Sequence, residues 1–253
     1  MRLLVHQLRG EQRLFWRSRE LAFFTFLLPI VFFVLLGSVY GKDTIRADNH
    51  RFKGSSYLLA GMLGYGVAAT AFAGLAITLV IRRESGVLKR LRATPLPAWT
   101  YVAGVLASTL FVFAIEAVLL IVLGRALFGV PWPGHVLSLV LSLLIGGLAF
   151  ASLGLAMTAA VRSAEGSSAA VNAVYLPMTF ISGSFFSPHS FPKFLRAIGD
   201  VLPLTYFIRL VRDVMLRHED LWTRPSSIAV IAAWGAVGAV VSIRGFRWEP
   251  RDT

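Results

Sequence analysis

Six long apolar blocks limit the architectures open to this chain. They run over 21–40, 57–81, 101–123, 136–160, 169–185 and 227–243, and only the third carries a formal charge, Glu116. A helix that crosses the hydrocarbon core of a bilayer needs about 20 predominantly apolar residues. The last two blocks, at 17 residues each, sit at the short end of that range. No block alternates apolar and polar residues as the strands of a membrane barrel do. The pattern predicts an all-α integral membrane protein with six transmembrane helices.

Composition agrees. Of the 253 residues 56% are hydrophobic and 15% charged, where soluble domains run near 25% charged. Mean hydropathy is +0.69. The formal charge of +12 would fit nucleic acid, but Lys and Arg gather beside the apolar blocks instead of on one soluble face. That placement fits membrane electrostatics and excludes nucleic acid as the expected partner. Cysteine is absent, and the five histidines are scattered with no pair at ligand spacing. Disulfides, thiol chemistry and a metal site are therefore not expected.

Residues 1–20 carry Arg2, Arg9, Arg13, Arg17 and Arg19 and cannot be a span. On a helical wheel Leu3, Leu4, Leu8, Leu14 and Phe15 share an arc opposite Arg2, Arg9, Arg13 and Arg17, which predicts an amphipathic interfacial helix. The plainer reading is a basic leader that orients the chain. Block 21–40 exceeds a signal-peptide core of about 7–15 residues and lacks a small-residue cleavage site, so it is expected to stay in the mature chain. The remaining 21–253 reads as a single membrane domain. An even number of spans puts both termini on one side. Lys and Arg number 14 on that side, counting Arg247 and Arg251, and 11 on the other. The five arginines just before the first span favour cytoplasmic termini.

Small residues recur at helix–helix spacing: Ala60, Gly64 and Ala68 in the second block, Gly147 and Ala151 in the fourth. Pro29 and Pro177 predict local disruption of their helices. Between 182 and 224 the chain is rich in breakers, with two helix-compatible pieces at 193–199 and 204–216, too short to span. They are expected at the outer interface or dipping back as a re-entrant hairpin, which is tolerated only where protein covers the broken backbone.

No phosphate-binding loop, dinucleotide fingerprint, nucleophile elbow or zinc-protease pair occurs, so an energy source must be external. Glu116 admits two readings. A charge at mid-bilayer costs about 3 kcal/mol on insertion scales. The carboxyl is therefore either functional, as a substrate contact, a proton site or an ion partner of Arg209 or Arg212, or a hydrogen-bonded structural group. Asn172 in the fifth block reads chiefly as a helix–helix hydrogen bond.

The stretch 82–97, RRESGVLKRLRATPLP, is basic yet built to be ordered. Ser85 is placed to cap a helix with Glu84 near its positive end, Val87, Leu88 and Leu91 form one apolar face, and Pro95 ends it. A solvated connector needs no such face. The segment is expected either to dock a partner protein or to rest on the membrane surface.

Residues 83–96 resemble the loop between spans two and three of the ABC-2 type permeases, with the pattern R-E-x-G-x-L-x-x-L-x-x-[ST]-P. Ser182-Gly183 through Phe185-Phe186, Pro192, Pro203-Leu204-Thr205-Tyr206 and Arg212 resemble the late signature of that family. The resemblance covers the chain end to end and implies an exporter subunit of the compact, drug-exporter-like branch. It implies a partner-ATPase coupling segment at Glu84, Ser85, Gly86, Val87, Leu88, Arg90, Leu91, Thr94 and Pro95, with a second contact at Arg162 and Glu165. The implied substrate path or gate includes Glu116, Asn172, Phe185, Phe186, Arg209 and Arg212. Partners would be cytoplasmic ABC ATPase subunits carrying Mg-ATP, a second permease subunit (a copy or a sister) and membrane lipid. No cofactor is expected in the chain itself, and the implied location is the inner or plasma membrane. A membrane-embedded lipid-modifying enzyme, or an assembly or signalling subunit, are the alternatives. The enzyme would need clustered Asp, His or Ser, which are dispersed here.

Overall fold

The structure, a computed structural model, describes residues 2–47, 50–246 and 248–249. Arg247 and Arg251, counted above among the basic residues of the tail, lie outside the described residues. Helix α1 (Arg2–Arg17) is followed after a break at Ser18 by α2 (Arg19–Tyr40). A short antiparallel hairpin, β1 (Thr44–Ala47) and β2 (His50–Lys53), pairs Ile45 with Phe52 and Arg46 with Arg51. This hairpin is a correction to the purely helical expectation, and the four-residue strands fit the polar segment between the first two apolar blocks.

Next comes a continuous helical rod, Gly54–Glu84. It consists of α3 (Gly54–Gly66), a π-helical segment (Val67–Gly74) and α4 (Leu75–Glu84). Then follow the small helix α5 (Val87–Arg92), α6 (Ala98–Phe128) and α7 (Val136–Ala160). The chain ends with α8 (Ser167–Ile181), α9 (Lys193–Gly199), α10 (Pro203–Leu216) and α11 (Pro225–Gly245).

Among the described residues five helices are long and apolar enough to cross a membrane: α2, the rod 54–84, α6, α7 and α11. The fifth expected block does not form one. Helix α8 has 15 residues and stops at Ile181, where Ser182 and Gly183 (φ 88°) turn the chain. At 1.5 Å per residue it reaches about 22 Å, short of the roughly 30 Å hydrocarbon core. Pro29 and Pro177 both lie inside helices that continue past them.

The rod 54–84 is the centre of the bundle. Its most apolar window is 67% buried within the chain, against 22% for α2 and for α11. With no water to drive helices together inside a bilayer, close packing depends on small residues, and the contacts follow that rule. A Cβ at Gly64 would stand 2.4 Å from Ile208 of α10, and one at Gly147 would stand 2.4 Å from Leu110 of α6. Gly154 of α7 lies against the backbone of Ala71 and Phe72, and Gly235 and Gly238 bring α11 onto α7. Ser152 and Ser242 tie that last seam, Ser152 Oγ donating to Gly235 O at 2.9 Å and Ser242 Oγ to Ser152 O at 3.1 Å. The small-residue rows read from the sequence thus serve packing within one chain.

Helix α10 is buried on almost every side, among α3, α7, α8 and α11. The preceding turn is seated on α3: Tyr57 Oη donates to Gly183 O at 3.1 Å, and a Cβ at Gly61 would stand 2.0 Å from Ser184 O. Gly61→Ala is therefore expected to destabilise the chain by about 1–3 kcal/mol through overpacking. Thermal unfolding in detergent measures this, and an unchanged midpoint would show that the turn does not rest on α3.

Candidate functional site: the junction at Arg83 and the carboxyl of Glu116

Rod 54–84 ends in two arginines with different tasks. Arg82 Nη1 pairs with Glu11 Oε2 of α1 at 2.8 Å and donates to Tyr101 Oη of α6 at 3.1 Å. Gln7 Nε2 donates to the same Glu11, and Gln12 Nε2 donates to Ser108 Oγ at 2.8 Å. Gln7, Glu11 and Gln12 thus bind α1 to the protein, while Arg2, Arg9, Arg13 and Arg17 of the cationic arc are exposed. Leu3, Val5, Leu14 and Trp16 of α1 are left exposed.

Arg83 is 2% exposed. Its Nη1 donates to Thr158 O at 2.7 Å, Nη2 to Val161 O at 2.8 Å, and Nε to Glu84 Oε1 at 2.6 Å. Thr158 and Val161 lie at the C-terminal end of α7, where helix carbonyls lack intrahelical partners and carry partial negative charge. One guanidinium therefore fastens the end of the rod to the end of α7 and orients Glu84. It also joins two segments singled out in the sequence, 84–95 and the stretch with Arg162 and Glu165, both exposed at their charged ends or nearly so.

The small helix differs from expectation in three ways. It covers Val87–Arg92, not the whole of 84–94. Ser85 does not cap its start: Ser85 closes α4, with Oγ donating back to Arg82 O at 3.3 Å, and Gly86 at φ 71° precedes α5. That left-handed conformation favours a residue without Cβ. The apolar face is also largely consumed inside the chain, since Leu88 is fully buried and Leu91 packs partly against the core. Val87, Lys89, Arg90, Arg92, Thr94 and Pro95 remain exposed. Thr94 Oγ1 donates to Leu91 O at 2.6 Å and closes the helix before Pro95.

Glu116 lies inside α6, 1% exposed, facing the π-helical segment. Thr70 Oγ1 donates to its Oε2 at 2.9 Å, its Oε1 has no hydrogen-bond partner among the described residues, and a Cβ at Gly66 would stand 2.4 Å from that Oε1. Widened turns of this kind occur mostly at functional positions. The expected pairing of Glu116 with Arg209 or Arg212 is not formed. Arg209 pairs with Asp200 at 2.9 Å, and Arg212 lies over the rings of Tyr57 (5.3 Å) and Phe52 (5.7 Å). Those arginines sit on α10, whereas Glu116 meets Thr70 between α6 and the π-helical segment. A cavity of about 160 Å³ opens beside Thr70, lined also by Thr25, Thr78, Ser108, Glu11 and Arg82.

Asn172 is half-buried and makes no side-chain hydrogen bond among the described residues. Phe185 is buried against Phe32, Tyr65 and Phe180, whereas Phe186 is exposed. Near α10 a charged cluster joins Asp213 to Arg224 (3.0 Å) and Arg217 (3.4 Å). Burial pushes the Asp213 carboxyl above its ordinary value, opposed by Arg224, Arg212 and Arg217. Sequence reasoning missed Arg83 as the clamp and Thr70 as the partner of Glu116. A basic residue at the very end of an apolar block was the available signal for the first. The second had none, because a π-helical turn leaves no simple sequence pattern.

Together these features define a polytopic α-helical membrane protein with a basic helical junction between two of its long helices. Residues 3–216 match the ABC-2 type transporter family, and the chain belongs to that family. It is similar to the inner membrane transport permease YhhJ of Escherichia coli K12, 25% identical over 170 residues that cover 66% of this chain and 45% of that protein. The probable multidrug ABC transporter permease YbhR of the same organism is 21% identical over 171 residues, 66% of this chain and 46% of that protein. The inner membrane transport permease YadH is 24% identical over 206 residues, 78% and 77% of the two chains. The chain spans less than half the length of YhhJ and YbhR.

Arg83→Ala is expected to lower stability by about 3 kcal/mol, because two buried carbonyls and Glu84 lose a charged donor. Arg82→Ala, at a partly exposed pair, should cost clearly less. Chemical unfolding of the two purified variants tests the ranking; equal losses would remove the clamp from its special position.

Proposed function

We propose that this chain is the membrane-spanning permease subunit of an ATP-binding-cassette exporter. It would move a hydrophobic or amphipathic molecule outward, with ATP hydrolysis on separate cytoplasmic ATPase subunits that carry the Mg-ATP. Family membership supports transport, and YbhR, a relative, bears a multidrug name. The observation that carries the coupling role is the Arg83 clamp. Force applied to α5 passes through the end of the rod into α7 by a buried, charged hydrogen-bond set.

In this reading the exposed basic face of α5 (Val87, Lys89, Arg90, Arg92) docks in a groove of the ATPase, and Arg162 and Glu165 make a smaller second contact. Leu88 acts inside the chain and holds α5 in place. Helix α1 lies in the inner headgroup plane with Leu3, Leu14 and Trp16 toward lipid. Helix α8 completes the fifth of six crossings with the 182–202 hairpin, which puts both termini in the cytoplasm of an inner or plasma membrane. Re-entrant α10, covered by protein on almost every side as such a segment requires, gates the outer end together with Phe185 and Phe186. A second permease subunit, a copy or a sister, faces the path across the half-buried Asn172.

In the same reading Glu116 and Thr70 act within the path, supported by the partnerless Oε1 of Glu116. Glu116→Gln retains an acceptor for Thr70, so transport is expected to change while assembly and unfolding midpoint do not. A variant that only misfolds would assign Glu116 to structure. For the docking face, Val87→Asp with Arg90→Glu should weaken co-purification with the ATPase by about tenfold, close to 1.4 kcal/mol, at unaltered stability. Leu88→Asp should instead fail to fold, and full ATPase retention in the surface double variant would refute the docking assignment.

A further inference from the structure

A groove of about 270 Å³ lies between the C-terminal part of α6, from Leu110 to Val122, and the N-terminal part of α7, from Val136 to Leu144. Every residue that lines it is apolar or aromatic, and Val118, Val122, Val136 and Val140 along its walls are exposed. Beyond Leu144 it closes: a Cβ at Gly147, near the middle of α7, would stand 2.4 Å from Leu110, so the two helices touch there. At the other end stand Trp132, 55% exposed, and Pro133.

The length of the groove is informative. Leu110 and Val122 are separated by about 18 Å of helix at 1.5 Å per residue, and half of the hydrocarbon core is about 15 Å. The groove is therefore about one leaflet tall. Arg125 follows Ile121 and Val122 at helical spacing and falls within the arc of α6 that lines the groove. Its side chain is exposed and has no ion pair or hydrogen bond with a described residue. Asp220, the carboxylate seated at the start of α7, is already held by His135 Nδ1 at 3.1 Å and Ser138 Oγ at 3.2 Å.

We propose that this groove holds one acyl chain of a membrane phospholipid whose phosphate is bound by Arg125. A slot one leaflet tall accepts the chain, and a single cation beyond its open end answers the phosphate through a charge-assisted hydrogen bond. Trp132 stands at that same end, as an indole at headgroup level does. A partner helix, about 10–12 Å across, would need a trough along the whole of α6 and α7, whereas this one stops at Leu110 and Gly147. In the orientation proposed above the lipid belongs to the outer leaflet; its binding does not depend on the coupling or transport roles.

Native mass spectrometry of the full chain, released from the uncharged detergent dodecyl maltoside, tests the proposal. The probe is dioleoyl phosphatidylglycerol, with dioleoyl glycerol as the phosphate-free control. A saturable one-to-one adduct with the phospholipid is expected. Its Kd should rise at least about tenfold, near 1.4 kcal/mol, in Arg125→Gln and in Ala114→Phe, which fills the groove. Both positions are exposed, so unfolding midpoints without lipid should hold; Val118→Phe, on the same wall, is the filler if Ala114→Phe lowers its midpoint. The chain has no cysteine, so Val140→Cys carries a single thiol, and oxidation in membranes should give no linked dimer. Absence of the adduct, equal affinity for the glycerol, an unchanged Kd in Arg125→Gln or in the filler, or a disulfide-linked dimer through that thiol would overturn the proposal.

Discussion

The charged contact between Arg83 and the end of α7 is the constraint from which the geometry at that end of the bundle follows. A cation buried to this degree is tolerable only if every direction in which it donates is answered. Here Thr158 O, Val161 O and Glu84 Oε1 answer it. Satisfying one guanidinium consequently fixes the end of the rod 54–84, the end of α7 and the orientation of Glu84. The small helix α5 hangs from that junction through Gly86, and the buried Leu88 anchors its inner side. A surface helix of six residues would be unstable alone; this one is held by what lies on either side of it.

Glu116 is held in the opposite manner. Its surroundings answer one oxygen, through Thr70, and leave the other without a partner. Gly66 makes room for the carboxyl, and the π-helical segment brings Thr70 to it. The two charged groups therefore contrast within one central rod: a saturated clamp at its end, and an incompletely satisfied carboxyl against its middle. A saturated joint and a polar middle are what the proposed role of force transfer and substrate passage would use.

Much of the architecture was legible because a bilayer demands continuous apolar length. The positions of α2, the rod, α6, α7 and α11 follow directly from the blocks, and the segments for α9 and α10 were found to within a residue. The fifth block misled because apolar length alone does not stop a helix. Ser182 and Gly183 do; the breaker-rich turn is legible from 182, yet the apolar block carries across it to 185. The β1–β2 hairpin escaped because strands of four residues in a charged loop carry little pattern. At the junction, the motif residues were recognisable, but helical periodicity could not say whether Leu88 faces a partner or the chain's own core. Only packing decides that. Pairings between distant residues, such as Glu116 with Thr70 or Arg83 with Val161, have no local signature at all.

The π-helical stretch at Val67–Gly74 has a consequence for how this rod tolerates change in length. Bonds from i to i+5 store extra residues relative to an α-helix, so the middle of the rod holds slack that its ends lack. Loss of one residue from 67–74 can be taken up by tightening a wide turn, with Gly64 still against α10 and Arg83 still against α7. The same loss within α4 would rotate Arg82 and Arg83 away from their partners by about 100°. The central helix is thus divided into a stretch where the loss of a residue is absorbed and one where it is not.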